Sequence, residues 1–170
     1  MSSDRRMLHL APCKLPGPRL YSRMPHFTRT LELPGVSAER LWAFHERPDA
    51  LRLLIPPGDR VEVIQPPTSL EVGTKVILRT YVGPIGFTVT AEHVEYERGR
   101  LFADRMSGGP FKQWLHRHIV ESTPTGSRLT DDIEYSLIGG PIGNAVGGPI
   151  ARRRLEAMFD HRHAVTRELA

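Results

Sequence analysis

Five side chains in the later part of this 170-residue sequence could carry acid–base or ion-pair chemistry if the fold gathered them: Asp104, His116, His118, Asp131 and Arg162. Histidine changes charge near neutral pH, and a carboxylate beside it selects its tautomer. An Asp/His pair can therefore move protons in a cyclisation, dehydration or isomerisation. His116-x-His118 also puts two imidazoles about 7 Å apart along one side of a strand, a spacing that two ligands of one metal ion tolerate. Such pairs more often belong to packed networks, so no metal and no other cofactor is expected. The sequence has no Gly-x-Ser-x-Gly elbow and no phosphate-binding loop, and its one cysteine, Cys13, lies near the start of the chain. No nucleophile motif supports covalent catalysis, and an intrachain disulfide is impossible.

These residues act together only if strands and a helix aim them at one place. In Ser127–Leu137, placing Arg128, Thr130, Asp132, Glu134 and Ser136 in water turns Leu129, Asp131, Ile133, Tyr135 and Leu137 inward. In Gln113–Glu121, exposing Gln113, Arg117 and Glu121 sends Trp114, His116, His118 and Val120 to the other side. In Leu101–Ser107, Arg105 outside leaves Phe102, Asp104 and Met106 inside. Phe87, Val89, Ala91 and His93 share a face of the preceding strand, entered through the Gly83-Pro84-Ile85-Gly86 turn. Near the end, Ala151, Leu155, Met158, Phe159, Val165 and Leu169 recur at three- and four-residue spacing. That period predicts an amphipathic helix from Pro149 to about Leu169, with a kink or broken first turn where Gly143, Gly147 and Gly148 precede it. Arg162 lies four residues after Met158 and seven after Leu155, on the sheet-facing stripe.

The rest of the pattern supplies the frame. Phe27, Leu31 and Leu33 alternate in a first strand. Ser37 caps a helix bearing Leu41, Trp42, Phe44 and His45, and Asp49–Leu54 reads as a second short helix. Strands follow around Val61–Val63 and Lys75–Val82. The predicted fold is α+β: a seven-stranded, curved antiparallel sheet wrapped around a long C-terminal helix, with two short helices after the first strand. Only 12 of the 170 residues are aromatic, which favours space between sheet and helix. Carboxylates facing that space must be paired. They either form a satisfied network fixing sheet to helix, or they orient the polar end of a ligand; the sequence leaves both open.

With 39% apolar and 25% charged residues, the composition is that of one soluble domain. Its net charge of +4 resides in Met1–Pro25, where Arg5, Arg6, Lys14, Arg19 and Arg23 face only Asp4. Residues 1–24 are expected to be an N-terminal extension, with Met24 an alternative start, and 25–170 the domain. The neutral remainder gives no basis for nucleic-acid binding. No apolar run reaches the ~20 residues of a membrane span, so stable membrane insertion is not expected, and a reducing cytoplasm is the expected compartment. Arg152-Arg153-Arg154 reads as a solvated face, and Gly139–Gly143 as a flexible connection able to gate a cavity.

From Pro25 to Glu168 the chain resembles the START-like, or SRPBCC, superfamily with its helix-grip fold. The resemblance rests on element order, on turns such as Leu70-Glu71-Val72-Gly73, and on three runs: Phe102-x-Asp104 with Gly109-Pro110-Phe111-x-x-Trp114-x-His116-x-His118, then Asp131-x-x-x-Tyr135, then Phe159-x-x-Arg162-His163. It implies a hydrophobic or amphipathic small molecule, of lipid, quinone or polyketide type, held between sheet and helix, with chemistry in some members only. Alternation and resemblance together name Phe87, Phe102, Asp104, Trp114, His116, His118, Asp131, Tyr135, Met158 and Arg162 as ligand-lining. Asp104, His116 and His118 would serve a cyclase- or dehydratase-like alternative. A protein-interaction module without a ligand is a third reading.

Overall fold

The computed structural model describes residues 24–170. The expected N-terminal extension thus lies outside the described residues apart from Met24. Strand β1 (His26–Pro34) buries Phe27, Leu31 and Leu33 and exposes the residues between Leu31 and Leu33 and beyond. Gly35 then turns the chain with φ +78°, a conformation open to glycine at little cost. Ser37 begins helix α1 (Ala38–His45) by accepting the Arg40 N–H at 3.2 Å, and Leu41, Trp42, Phe44 and His45 are buried. Helix α2 (Ala50–Leu53) is one turn long.

The remaining strands are β2 (Val61–Gln65), β3 (Lys75–Val82), β4 (Ile85–Glu97), β5 (Leu101–Gly108), β6 (Phe111–Thr123) and β7 (Gly126–Leu137). They form one antiparallel sheet in the order β1-β7-β6-β5-β4-β3-β2, with the two helices bridging its edges. The expected inward residues of β6 and β7 are buried: Trp114, His116, His118 and Val120, and Leu129, Asp131, Ile133, Tyr135 and Leu137. β7 buries Ser127 as well, and Ser136, expected in water, is buried too, where the end of β7 meets the start of the last helix. On β5 the alternation is imperfect. Ala103 is fully buried beside Phe102, where the pairing with β4 slips between His93 and Glu95. Such a bulge bends the sheet locally.

Helix α3 corrects the expectation of a late or broken start. It runs unbroken from Gly140 to Leu169, and the segment read as a flexible connection supplies its first turn. The glycines that weaken helix propensity serve close approach to β7. A Cβ on Gly143 would fall 2.1 Å from the Ile138 carbonyl oxygen, and one on Gly147 would fall 2.8 Å from Leu137 Cδ1. Pro149 deprives the Ala145 carbonyl of its partner, but Ala145 is exposed, so water can replace it. The buried stripe also differs at its end: Leu169 is 38% exposed, and Thr166 and Ala170 carry the packed face instead. Among the described residues no helix is long and apolar enough to cross a membrane.

Candidate functional site

Two apolar clusters flank a polar layer between sheet and helix. One contains Leu31, Leu41, Trp42, Phe102, Val120 and Leu129; the other contains Phe27, Trp114, Ile133, Tyr135, Leu155 and Phe159. Along β6 the layer between them is His116 and His118, along β7 it is Asp131, and along α3 it is His163. Cross-strand register opposes His118 to Asp131 and His116 to Asp104.

Asp131 is the centre. His116 Nε2 lies 3.0 Å from its Oδ1 and His163 Nε2 lies 2.7 Å from its Oδ2. His118 Nδ1 is 2.8 Å from Oδ1 but off the hydrogen-bonding direction, and is left among the buried nitrogens without a hydrogen-bond partner. Burial alone would raise the Asp131 pKa; contacts with His116, His118 and His163 outweigh it and hold the carboxyl well below its ordinary range. An ionised carboxylate only accepts, so both His116 and His163 donate from Nε2. The other ring nitrogen of His116, Nδ1, faces the carboxylate of Asp104 at 3.7 Å. Burial, and next the neighbouring His116, drive the His118 pKa well down, so this ring is neutral. Burial likewise lowers His45 and His93.

Phe102 organises the other side of this layer. It stacks on His118 with centroids 4.2 Å apart, and Trp42, His45 and His93 surround it at 5.7–5.9 Å. Trp42 Nε1, His93 Nδ1 and His118 Nδ1 are all buried without hydrogen-bond partners. Arg162 adds a fourth such atom, Nε, and its guanidinium lies 5.3 Å from the Phe159 ring centre. Burial lowers its pKa, opposed by the charges of Asp131, Asp104 and Asp59. Asp59 also lines a groove of about 460 Å³ between α2, the turn after it and β2.

The structure therefore brings together Phe102, Asp104, His116, His118 and Asp131, with Trp114 edge-on to His116 at 6.2 Å and Tyr135 against Trp114 at 6.4 Å. Met158 packs on the second apolar cluster. Phe87 stands apart: it pairs with Thr80, six residues or about 20 Å along β4 from His93, which faces Asp104. Sequence reasoning missed His45, His93 and His163 as members. His163 was legible, four residues after Phe159 and eight after Leu155, but a stripe counted in apolar residues passes over it. Asp104, His116 and His118 offer ligand atoms within 4.8 Å of one another, and His116 has the carboxylate-backed second nitrogen that metal-binding histidines use.

A curved antiparallel sheet gripping one long helix, with a buried polar centre between them, defines a helix-grip protein. The chain belongs to the family described as polyketide cyclase / dehydrase and lipid transport, whose model matches residues 34–160. Solved structures repeat the fold at low identity. A nucleoside-diphosphate sugar epimerase from Corynebacterium glutamicum aligns with a TM-score of 0.66 at 23% identity, over 84% of this chain but 28% of its own. Norcoclaurine synthase from Thalictrum flavum, solved with dopamine and hydroxybenzaldehyde, aligns at 0.62 and 19%, over 95% of this chain and 99% of its own. The di-domain ARO/CYC StfQ of steffimycin biosynthesis aligns at 0.63 and 13%, over 85% of this chain and 50% of its own. No curated protein matches the sequence.

Proposed function

We propose that this protein binds an amphipathic small molecule whose apolar body lies between the sheet and α3 and whose anionic end meets Arg162. The observation that carries this reading is the state of that arginine. It projects from the sheet-facing side of α3, its Nε is buried, and among the described residues it forms no hydrogen bond or ion pair through its side chain. A guanidinium stays charged at any physiological pH, and here the residue is part-buried, its buried Nε has no hydrogen-bond partner, and its one close side-chain partner among the described residues is the face of the Phe159 ring. A carboxylate or similar anion on a ligand would satisfy it in two-pronged fashion. The buried nitrogens of Trp42, His93 and His118 around Phe102 offer further polar contacts. A chain with a single cysteine suits a reducing cytoplasm.

The test follows quenching of Trp42 and Trp114 fluorescence during titration with dodecanoate and with dodecanol. Dodecanoate should bind at least about tenfold tighter, the worth of one charged hydrogen bond, and Arg162→Gln should erase the difference. Equal affinities in the unaltered protein, or no saturable binding of either, would refute the proposal.

One observation favours a second reading. His116 Nδ1 and the Asp104 carboxylate face each other across 3.7 Å, an imidazole–carboxylate pair placed to give a proton to, or take one from, a bound carbonyl compound. That would make the site cyclase- or dehydratase-like. Turnover of a poly-β-ketone separates the two, because a carrier leaves it unchanged.

A further inference from the structure

The first half of α3 is amphipathic in the wrong direction for a helix gripped by a sheet. Pro141, Ile142, Ala145, Val146, Pro149 and Ile150 are all exposed and all apolar, with Ile142 at 77% and Val146 at 74% exposure. At 100° per residue they occupy one half of the helix circumference. The other half holds Gly143, Asn144, Gly147, Gly148 and Ala151, all part-buried; of these, Asn144 accepts the Leu137 N–H at 2.8 Å. Ile138, just before the helix, is 65% exposed.

This face stands at one end of the sheet. Ile138 N–H bonds the Pro110 carbonyl, Phe111 pairs with Leu137, and Gly108 pairs with Val89. The β5–β6 turn, the start of α3 and the β3–β4 turn thus share that end, and Ile85 at the β3–β4 turn is 59% exposed. The stretches that build it, 80–91, 105–120 and 135–155, contain no Asp or Glu, while they carry Arg105, Lys112, Arg117, Arg152, Arg153 and Arg154. Arg117 is engaged by Glu95 and Glu134, and Arg152 by Glu156. Arg105, Lys112, Arg153 and Arg154 are exposed, and Arg153 continues the apolar face, seven residues after Val146 and four after Pro149.

We infer that this end of the molecule docks on the surface of an anionic lipid bilayer, with Ile142, Val146 and Ile150 entering the headgroup region and the cations contacting lipid phosphates. Arg105 faces Glu92 across the sheet, which leaves Lys112, Arg153 and Arg154 as the exposed cations beside the apolar face, and apolar side chains flanked by such cations complement an anionic lipid surface. A second copy of the chain is disfavoured: three turns of one helix cover about 15 Å by 10 Å, far short of the ~800 Å² per partner of a stable dimer, and pairing the faces would bring like charges together. The inference does not depend on what occupies the interior.

The experiment is cosedimentation of the full chain with phosphatidylcholine vesicles and with vesicles containing about 30% phosphatidylglycerol, at low and high salt. Binding should require the anionic lipid and weaken with salt. The triple variant Ile142→Ser, Val146→Ser, Ile150→Ser, with an unchanged circular dichroism spectrum, should partition at least about tenfold less. No binding to anionic vesicles would overturn the inference. So would a triple variant that binds like the unaltered protein, since the basic N-terminal residues would then be responsible. A concentration-dependent dimer abolished by the triple substitution, without vesicle binding, would assign the face to self-association instead.

Discussion

The two halves of α3 share one backbone and have opposite relations to the sheet. From Leu155 onward the helix buries Leu155, Phe159, His163 and Thr166, and two of these four are polar. Before Leu155 it buries none, yet its outward side is wholly apolar over the first three turns. Hydrophobicity alone would place the first half inside and the second half partly outside. What decides the matter is partnership. His163 is buried because Asp131 accepts its N–H, and the Ile142–Ile150 face is exposed because the glycines of the opposite side already meet the end of β7.

The largest test of this contrast removes the acceptor. Asp131→Ala leaves His116, His118 and His163 facing an apolar gap without their common anion. It should cost about 3–5 kcal/mol, the range for breaking a buried charge network by deleting one member. Urea unfolding followed by tryptophan fluorescence measures it. A loss below about 1 kcal/mol would mean that the polar layer does not hold sheet and helix together.

The next effect is on pH dependence. Burial lowers the pKa of His118, and less strongly those of His45 and His93, below the ordinary 6.5. Groups with a depressed folded-state pKa stabilise the fold above their unfolded value, and that contribution is lost as pH falls. Below about 6.5 the unfolded chain takes up protons that these rings refuse, each costing up to about 1.4 kcal/mol per pH unit. Asp131, also depressed, acts in the same direction only below its ordinary 3.8. The melting temperature should therefore be flat from pH 9 to 7 and fall from 7 to 5. His118→Gln should shallow that fall; an identical slope would show that His118 does not bury as a neutral ring.

Much of this arrangement was legible in the chain. The β6 and β7 alternations identify His116, His118 and Asp131 as inward because polar residues at alternate positions set the outward face, but they miss the burial of Ser127 and Ser136 at the two ends of β7. The cap at Ser37 and the turn glycines mark the early elements through local chemistry. Three things were not legible. The helix start was hidden because Gly143 and Gly147 lower propensity while their reason, contact with Ile138 and Leu137, is tertiary. The burial of Ala103 depends on a register slip that no alternation shows. His45 and His93 join the site through rings of other elements that pack around Phe102, so their roles exist only in the folded chain.

The smallest test compares two glycines within the exposed half of α3. Gly148 would meet nothing within 4 Å on acquiring a Cβ, whereas Gly143 would place it 2.1 Å from a backbone oxygen that cannot swing away. If the early helix is a true helix seated by its glycines, Gly148→Ala should stabilise the protein by about 0.5–1 kcal/mol through reduced chain entropy. Gly143→Ala should destabilise it by about 1–3 kcal/mol through forced separation from β7. Opposite signs in thermal unfolding are the expected result. Two stabilising substitutions would mean that the first turns are held by helix propensity and stand free of the sheet, and the apolar face would then lose the fixed orientation that docking on a flat surface needs.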